Sequence, residues 1–315
     1  MQKRRILGVT LALLLAAPVF SVQAALVSVD CSKRGTTLTA AIAKLTKSVA
    51  NTVTISGTCT EDVSVSGHAD LTLIGNPGAN ITGTLTPSAG TTLNVTGGSR
   101  ITVQSLTING GPSEGATGAS CTDRSVCVFK NVVIQGGGPS QIGLSLQNQS
   151  SADILGATVI RNSDTGLGVF GASTVNMKPD VAGAAGPVIS GNGSVGAIVQ
   201  DGSFLRTDDV RITGNGTGVL AQRGAVIKIL SSSSLNGLGS VDSNAGDGVV
   251  VRASVAQVGV NVANNGGNGV FIRQLAFATV FDGLDFSGNG GGFAVKCEDP
   301  VTSVSQGVPC NTPSP

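Results

Sequence analysis

One short phrase recurs through the second half of the chain and limits the fold more than any other feature. VISGNG at 188–193 returns as RITGNG at 211–216, VDSNAG at 241–246, VANNGG at 262–267 and DFSGNG at 285–290, after an earlier VIRNSDTG at 159–166. Aligned on Asn162, Asn192, Asn215, Asn244, Asn265 and Asn289, the copies stand 21 to 30 residues apart. A period in the twenties marks stacked units that bury a core only against their neighbours. Three or four residues past each asparagine comes a glycine: Gly166, Gly196, Gly218, Gly248, Gly269 and Gly292. Asparagine tolerates the left-handed conformation and glycine takes it at no steric cost, so each phrase reads as a corner. Stacked corners would bring the asparagines into a column at strand spacing, about 4.8 Å. Their amides could then donate and accept along it.

Ahead of these corners the pattern has period two. TVTISG at 52–57, DVSVSG at 62–67 and LTLIGN at 71–76 alternate apolar and small polar residues, and the unit returns as TTLNV at 91–95 and ITVQSLTI at 101–108. Three short strands in each period of the twenties leave no room for crossover helices. They fit one turn of a coil whose strands pair with their copies in the next turn. Composition agrees: 46 of 315 residues are glycine, charged residues are 12% of the chain, and Tyr and Trp are absent. One helix is expected, over 35–48. Leu38, Ala41, Ile42 and Leu45 make its apolar face, Thr36 or Thr37 its N-cap, and Lys44 and Lys47 suit its C-terminal end.

The order TLTAAIAKL, TVTISGTCTEDVSVSG, LTLIGN and then ISGNG-type rungs resembles right-handed parallel β-helix proteins of the pectate-lyase-like class. The resemblance covers roughly residues 35–297. It implies an all-β solenoid of about nine coils, with a short N-terminal capping helix and a disulfide-stapled C-terminal tail. The divisions expected are a signal peptide at 1–24, a capping segment at 25–51, the β-helix at 52–297 with a loop insertion at 110–127, and a cap or tail at 298–315.

Lys3, Arg4 and Arg5 precede an apolar run from Ile6 to Ala17, and Val22-Gln23-Ala24 offers small or apolar residues at the cleavage positions. That is the pattern of a secretory leader, too short in its apolar core to span a bilayer. The expectation is a secreted or periplasmic protein with no membrane anchor. Removing those three cations from 19 leaves 16 basic residues against 18 acidic ones. A chain with no basic excess is a poor nucleic-acid binder. Six cysteines in an exported chain read as disulfides, and six allow 15 pairings. Proximity suggests Cys31–Cys59, Cys121–Cys127 and Cys297–Cys310. One histidine, His68, and no Cys-x-x-Cys argue against a zinc site.

The strand after each glycine carries the functional reading. Its inward residues are expected to be Leu167/Val169, Ala197/Val199, Val219/Ala221, Val249/Val251, Val270/Ile272 and Phe293/Val295. Two outward columns then follow. One is Gly168, Ile198, Leu220, Val250, Phe271 and Ala294. The other is Phe170, Gln200, Gln222, Arg252, Arg273 and Lys296. An apolar stripe beside two amides and three stacked cations suggests a groove for an acidic polysaccharide, because like charges on neighbouring strands are normally avoided. The candidate ligand-binding residues are Phe170, Gln200, Gln222, Arg252, Phe271, Arg273 and Lys296.

Catalysis has less support. Polygalacturonase-type hydrolysis, which the resemblance brings to mind, needs clustered aspartates with a histidine and a basic pair. Asp208-Asp209 is the only adjacent pair of aspartates, no Gly-His-Gly or Arg-x-Lys follows it, and it reads as a turn. The resemblance also allows a polysaccharide lyase on a uronate-containing glycan, with Arg252, Arg273 or Lys296 abstracting a proton and Ca²⁺ bound. Acids near that column are few (Asp247, Asp282, Glu298), and calcium wants several converging oxygens. The expectation is therefore a non-catalytic monomer for binding or structural display. It needs no cofactor, and Ca²⁺ enters only under the lyase alternative.

Overall fold

The computed structural model describes residues 23–84, 90–112, 114–136, 141–231, 238–298 and 304–314. The expected signal segment lies outside the described residues except for its last two positions. Among the described residues no helix is long and apolar enough to cross a membrane.

The chain winds into a three-sided solenoid of about ten turns. Among the described residues sheet A has 12 strands, from Leu26–Asp30 to Val304–Gly307; sheet C has 11, beginning at Val63–Ser66; sheet B has 8, each of three residues. Neighbouring strands are one coil apart in sequence and pair in parallel. The exception is the C-terminal Thr312–Pro313, antiparallel to Phe293–Cys297. Alternation follows from the period-two pattern. In sheet A, Val175 stacks on Leu205 and then Ile227, while Asn176, Arg206 and Lys228 point out between them. The bore is filled by Val, Ile, Leu and Ala in one continuous core. Burying each such larger side chain is worth about 1.5–3 kcal/mol, against about 1 kcal/mol net for a hydrogen bond. The bore therefore supplies most of the stability, and the polar columns fix the register.

Two such columns run along the corners. At the turn from sheet B to sheet C, the amides of Asn192, Asn215, Asn244 and Asn265 each donate to the Oδ1 of the next, at 2.8, 3.0, 2.9 and 3.0 Å, ending on Asn289. Asn162 is not in this ladder. Ser163 takes the place, its N–H donating to Asn192 Oδ1 at 3.1 Å. The left-handed residue is also not the ladder asparagine but the one before it: Asn162, Gly191, Gly214, Ser243, Asn264 and Gly288 all have positive φ. That step turns the chain and aims the following amide inward. Of the later glycines only Gly292 (φ 77°) takes the left-handed step expected, and Gly166, Gly196, Gly218, Gly248 and Gly269 serve a different purpose. A Cβ on Gly248 would meet Val262 Cγ1 at 2.5 Å and Gly269 O at 2.7 Å, and one on Gly196 would meet Gly218 O at 2.6 Å. They let successive coils close on the ladder.

The second column, at the turn from sheet C to sheet A, is made of buried serines. Ser150, Ser173, Ser203 and Ser254 each accept through Oγ from a backbone N–H one coil away, at 3.1–3.2 Å. Their side chains stay dry because a hydroxyl is the smallest group that can satisfy that donor.

The ends are closed. The helix is shorter than expected, Leu38–Ala43, with Thr37 as its N-cap and Leu38 and Ile42 turned inward. Glu61 accepts from the N–H groups of Leu38 and Thr39 at 2.6 and 2.9 Å, satisfying donors that the first helical turn leaves open. Cys31–Cys59, Cys121–Cys127 and Cys297–Cys310 are all bonded. The insertion expected over 110–127 is confined to the corner before Thr117. Thr117–Cys121 and Val126–Lys130 are ordinary strands of sheets C and A. Cys121 and Cys127 fill bore positions, between Val95 and Leu146 and between Ile101 and Ala152.

Candidate functional site

The outward columns of sheet C form as expected through five coils. Gly168, Ile198, Leu220, Val250 and Phe271 pair in order, and Gln222, Arg252 and Arg273 stack beside them. Phe170 and Gln200 continue that second column, with the N–H of Gln200 donating to Val169 O at 2.9 Å. Phe170 folds back so that its ring covers Gly168. A Cβ there would lie 2.5 Å from the ring.

The last coil departs from expectation. Val295 pairs with Val270, Lys296 with Phe271 and Cys297 with Ile272. Lys296 thus belongs to the apolar column, and Phe293 and Ala294 lie before the position assigned to them. The cause is the run Gly290-Gly291-Gly292, which lengthens this corner so that counting from its last glycine misplaces the strand. Glu298 follows Cys297 opposite Arg273 and pairs with it, Oε2 to Nε at 3.0 Å. The three-cation column is therefore two arginines and a glutamate, with a lysine one column over.

These cations are held. Arg252 Nε donates to Gln274 Oε1, and the Arg273 guanidinium sits 5.2 Å from the Phe271 ring centre. Lys296 Nζ lies 4.2 Å from the Phe293 ring centre, within cation–π range. Gln200 accepts from Arg223, which also pairs with Asp201 at 2.7 Å. The result is a flat strip with an apolar centre, cationic toward its C-terminal end. It can lie against the CH face of a sugar ring and pair with carboxylates beside it.

Among the described residues, only Cys31, Cys59 and Glu61 bring three metal-type ligand atoms within 4.8 Å of one another. Two of these are sulfurs already joined as a disulfide. His68 is buried at the opposite end from the cations.

No known family model matches the sequence, and no curated protein does. Among solved structures the chain is similar to the pectate lyase Pel9A, with 14% identity and a TM-score of 0.53 over 82% of this chain and 75% of that one. It is also similar to ORF18 of Geobacillus virus E2, with 13% identity and a TM-score of 0.46 over 85% of this chain and 59% of that one. The fold is a right-handed parallel β-helix. At such identity the likeness to Pel9A speaks for the path of the backbone and for nothing at the side chains.

The β-helix also carries a feature that sequence reading missed. A groove of about 990 Å³ lies where sheet A turns into sheet B, lined among others by Lys178, Arg206, Asp208, Gln257, Phe281 and Asp282. Two signals for it were present in the sequence, the Asp208-Asp209 pair and the spacer KPDVAGAAGP at 178–187. Only the coil stacking brings them to one place.

Proposed function

We propose that the protein is a non-catalytic, extracellular β-helix that binds an extended acidic polysaccharide along the outer face of sheet C. The observation that carries this reading is the stacked strip. Ile198, Leu220, Val250 and Phe271 lie on successive strands beside Gln200, Gln222, Arg252 and Arg273, with Lys296 next to Phe271. Strands repeat at about 4.8 Å, a rise comparable with that of one sugar in an extended chain. A rigid strip of this kind costs little ordering entropy on binding. The bonded cysteines suit an oxidising compartment. The protein acts as a monomer and takes no cofactor in this reading.

The test is retention of the wild type and of an Arg252→Ala/Arg273→Ala/Lys296→Ala variant on immobilised pectate, alginate and heparin at increasing salt. Wild-type retention that falls with salt and is lost in the variant is expected. Equal retention of the two proteins would remove the strip from consideration. The same incubations, run with and without Ca²⁺, report on the alternative of a uronate lyase. An unsaturated-uronate absorbance band growing with time would replace the non-catalytic reading.

A further inference from the structure

The sheet C strip changes character halfway along its length. Its coils are those of Phe170, Gln200, Gln222, Arg252, Arg273 and Lys296, and the cations on its outer face all belong to the last three. The first three coils present an aromatic ring, the aliphatic Ile198 and Leu220, and two amides. With the corners at both edges included, the charged side chains of these first three coils are Asp164, Asp201 and Arg223. Arg223 is engaged already, pairing with Asp201 at 2.7 Å and donating to Gln200 Oε1. No unpaired cation therefore faces the first half of the strip.

That half is built as a platform. The Phe170 ring lies against the backbone of Gly168, where a Cβ would stand 2.5 and 2.7 Å from ring carbons and 3.6 Å from Ile142 Cγ2. Ile198 pairs with Gly168 and Leu220 with Ile198, so three successive rungs make one apolar floor. Gln200 is turned by the bond that Arg223 donates to its Oε1, which leaves its Nε2 without a protein partner. The half-buried Gln222 amide has none either. An apolar floor edged by free amides suits a neutral sugar, with CH groups on the floor and hydroxyls on the amides. A carboxylate at the same place would leave water for an aliphatic surface with no cation to replace the solvent, and Asp164 and Asp201 would repel it.

The second half has the opposite provision. Arg252 and Lys296 have no carboxylate partner among the described residues, and Arg273 has one, Glu298 at 3.0 Å. The remaining acid of these coils, Asp247, accepts from the N–H and the amide of Asn268 at 2.6 and 2.9 Å. Two cations are thus left for an anionic ligand, each on its own coil.

On the footing that this face binds glycan, we propose that its ligand is a mixed chain. Uncharged sugars lie on the coils from Phe170 to Gln222, and uronates continue from them onto the coils from Arg252 to Lys296. Three strand spacings separate the Phe170 coil from the Arg252 coil, about 14 Å, which is room for about three neutral sugars. A chain charged at every sugar matches only the second half.

Two matched sets of oligosaccharides test this by calorimetry. One is oligogalacturonate in free, block-wise half methyl-esterified and fully methyl-esterified forms. The other is oligoglucuronate, a xylo-oligosaccharide ending in glucuronate, and the plain xylo-oligosaccharide. Each set thus holds an acidic, a mixed and a neutral chain. In at least one set the mixed chain is expected to bind about tenfold more tightly than either uniform one, the upper range for one aromatic contact. Phe170→Ala should remove that advantage and leave the acidic chain unchanged. Gly168→Ala, whose added methyl group lifts the ring off the sheet, should do the same. Arg252→Ala should weaken both chains. A mixed chain bound no more tightly than the acidic one, with both still weakened by Arg252→Ala, would overturn this proposal and leave the acidic-glycan reading standing. A mixed-chain advantage that survives Phe170→Ala and Gly168→Ala, with both variants folded by circular dichroism, would also overturn it. Binding of no probe, or binding indifferent to Arg252→Ala, would remove both.

Discussion

His68 occupies the corner position that buried serines hold in later coils, and its own N–H donates to Ser99 Oγ at 3.3 Å. The imidazole is buried at 1% exposure. Burial first, and the positive charge of Lys47 second, hold it below its ordinary 6.5. The folded protein therefore keeps this side chain neutral at a pH where the unfolded chain takes up a proton. The associated stability is fully present above pH 6.5 and is lost as pH falls below it. The slope can reach about 1.4 kcal/mol per pH unit for one proton. Urea midpoints measured from pH 7.5 down to the onset of carboxylate titration should fall in the wild type and stay nearly level in His68→Gln. Equal slopes in the two proteins would mean that the bore tolerates the imidazolium. A single histidine in the sequence gives no hint of this role. The serines that define its position are spaced by the coil period and look like ordinary turn residues.

At the scale of elements, strands and corners were legible to different degrees. The alternation in TVTISG or VIKIL leaves one choice of inward face, so Val53, Ile55, Ile227 and Ile229 all fill the bore. Corners are degenerate, because glycine, serine and asparagine all take the left-handed step before a ladder residue. For that reason Asn162 looks like a ladder member but holds the position of Gly191 and Asn264. The same degeneracy, in the glycine run at 290–292, hid the displacement of Lys296 and so altered the candidate strip. Asp208 and Phe281 are far apart in sequence, and a groove made by unequal corner lengths has no local signature. The Cys121–Cys127 bridge ties a strand of sheet C to the next strand of sheet A across one corner. Other coils place pairs such as Val169 and Val175 at the equivalent positions. A Cys121→Val/Cys127→Val variant keeps the bore apolar and removes the constraint. Closing so short a loop is worth about 2 kcal/mol in the chain-entropy account, and the urea midpoint should drop accordingly. An unchanged midpoint would show that the apolar pair replaces the bridge fully.

For the whole molecule, stability is close to a sum of coil terms and contacts between neighbouring coils, since each coil touches little beyond the next. Damage should then stay local. Asn244 is a suitable probe. Its Oδ1 accepts from the N–H and the side-chain amide of Asn215, both at 3.0 Å, and its own amide donates to Asn265 at 2.9 Å. Asn244→Ala removes the side chain that joins three coils and takes the acceptor from the buried Asn215 N–H, at about 1–3 kcal/mol, while the Asn215 amide keeps the carbonyls of Ile189 and Thr213. Amide hydrogen exchange should accelerate across the coils from Arg211 to Asn289. Amides of the strands from Ala50 to Lys130, four or more coils away, should keep their protection. The disulfide at each end limits fraying toward the caps, so the loosened region should be internal, bounded on both sides by slow exchange. Uniform acceleration from Ala50 to Cys297 would mean that the bore couples all coils into one cooperative unit. In that case the ladder would report global stability, and the sheet C strip and the groove would lose order together when either is perturbed.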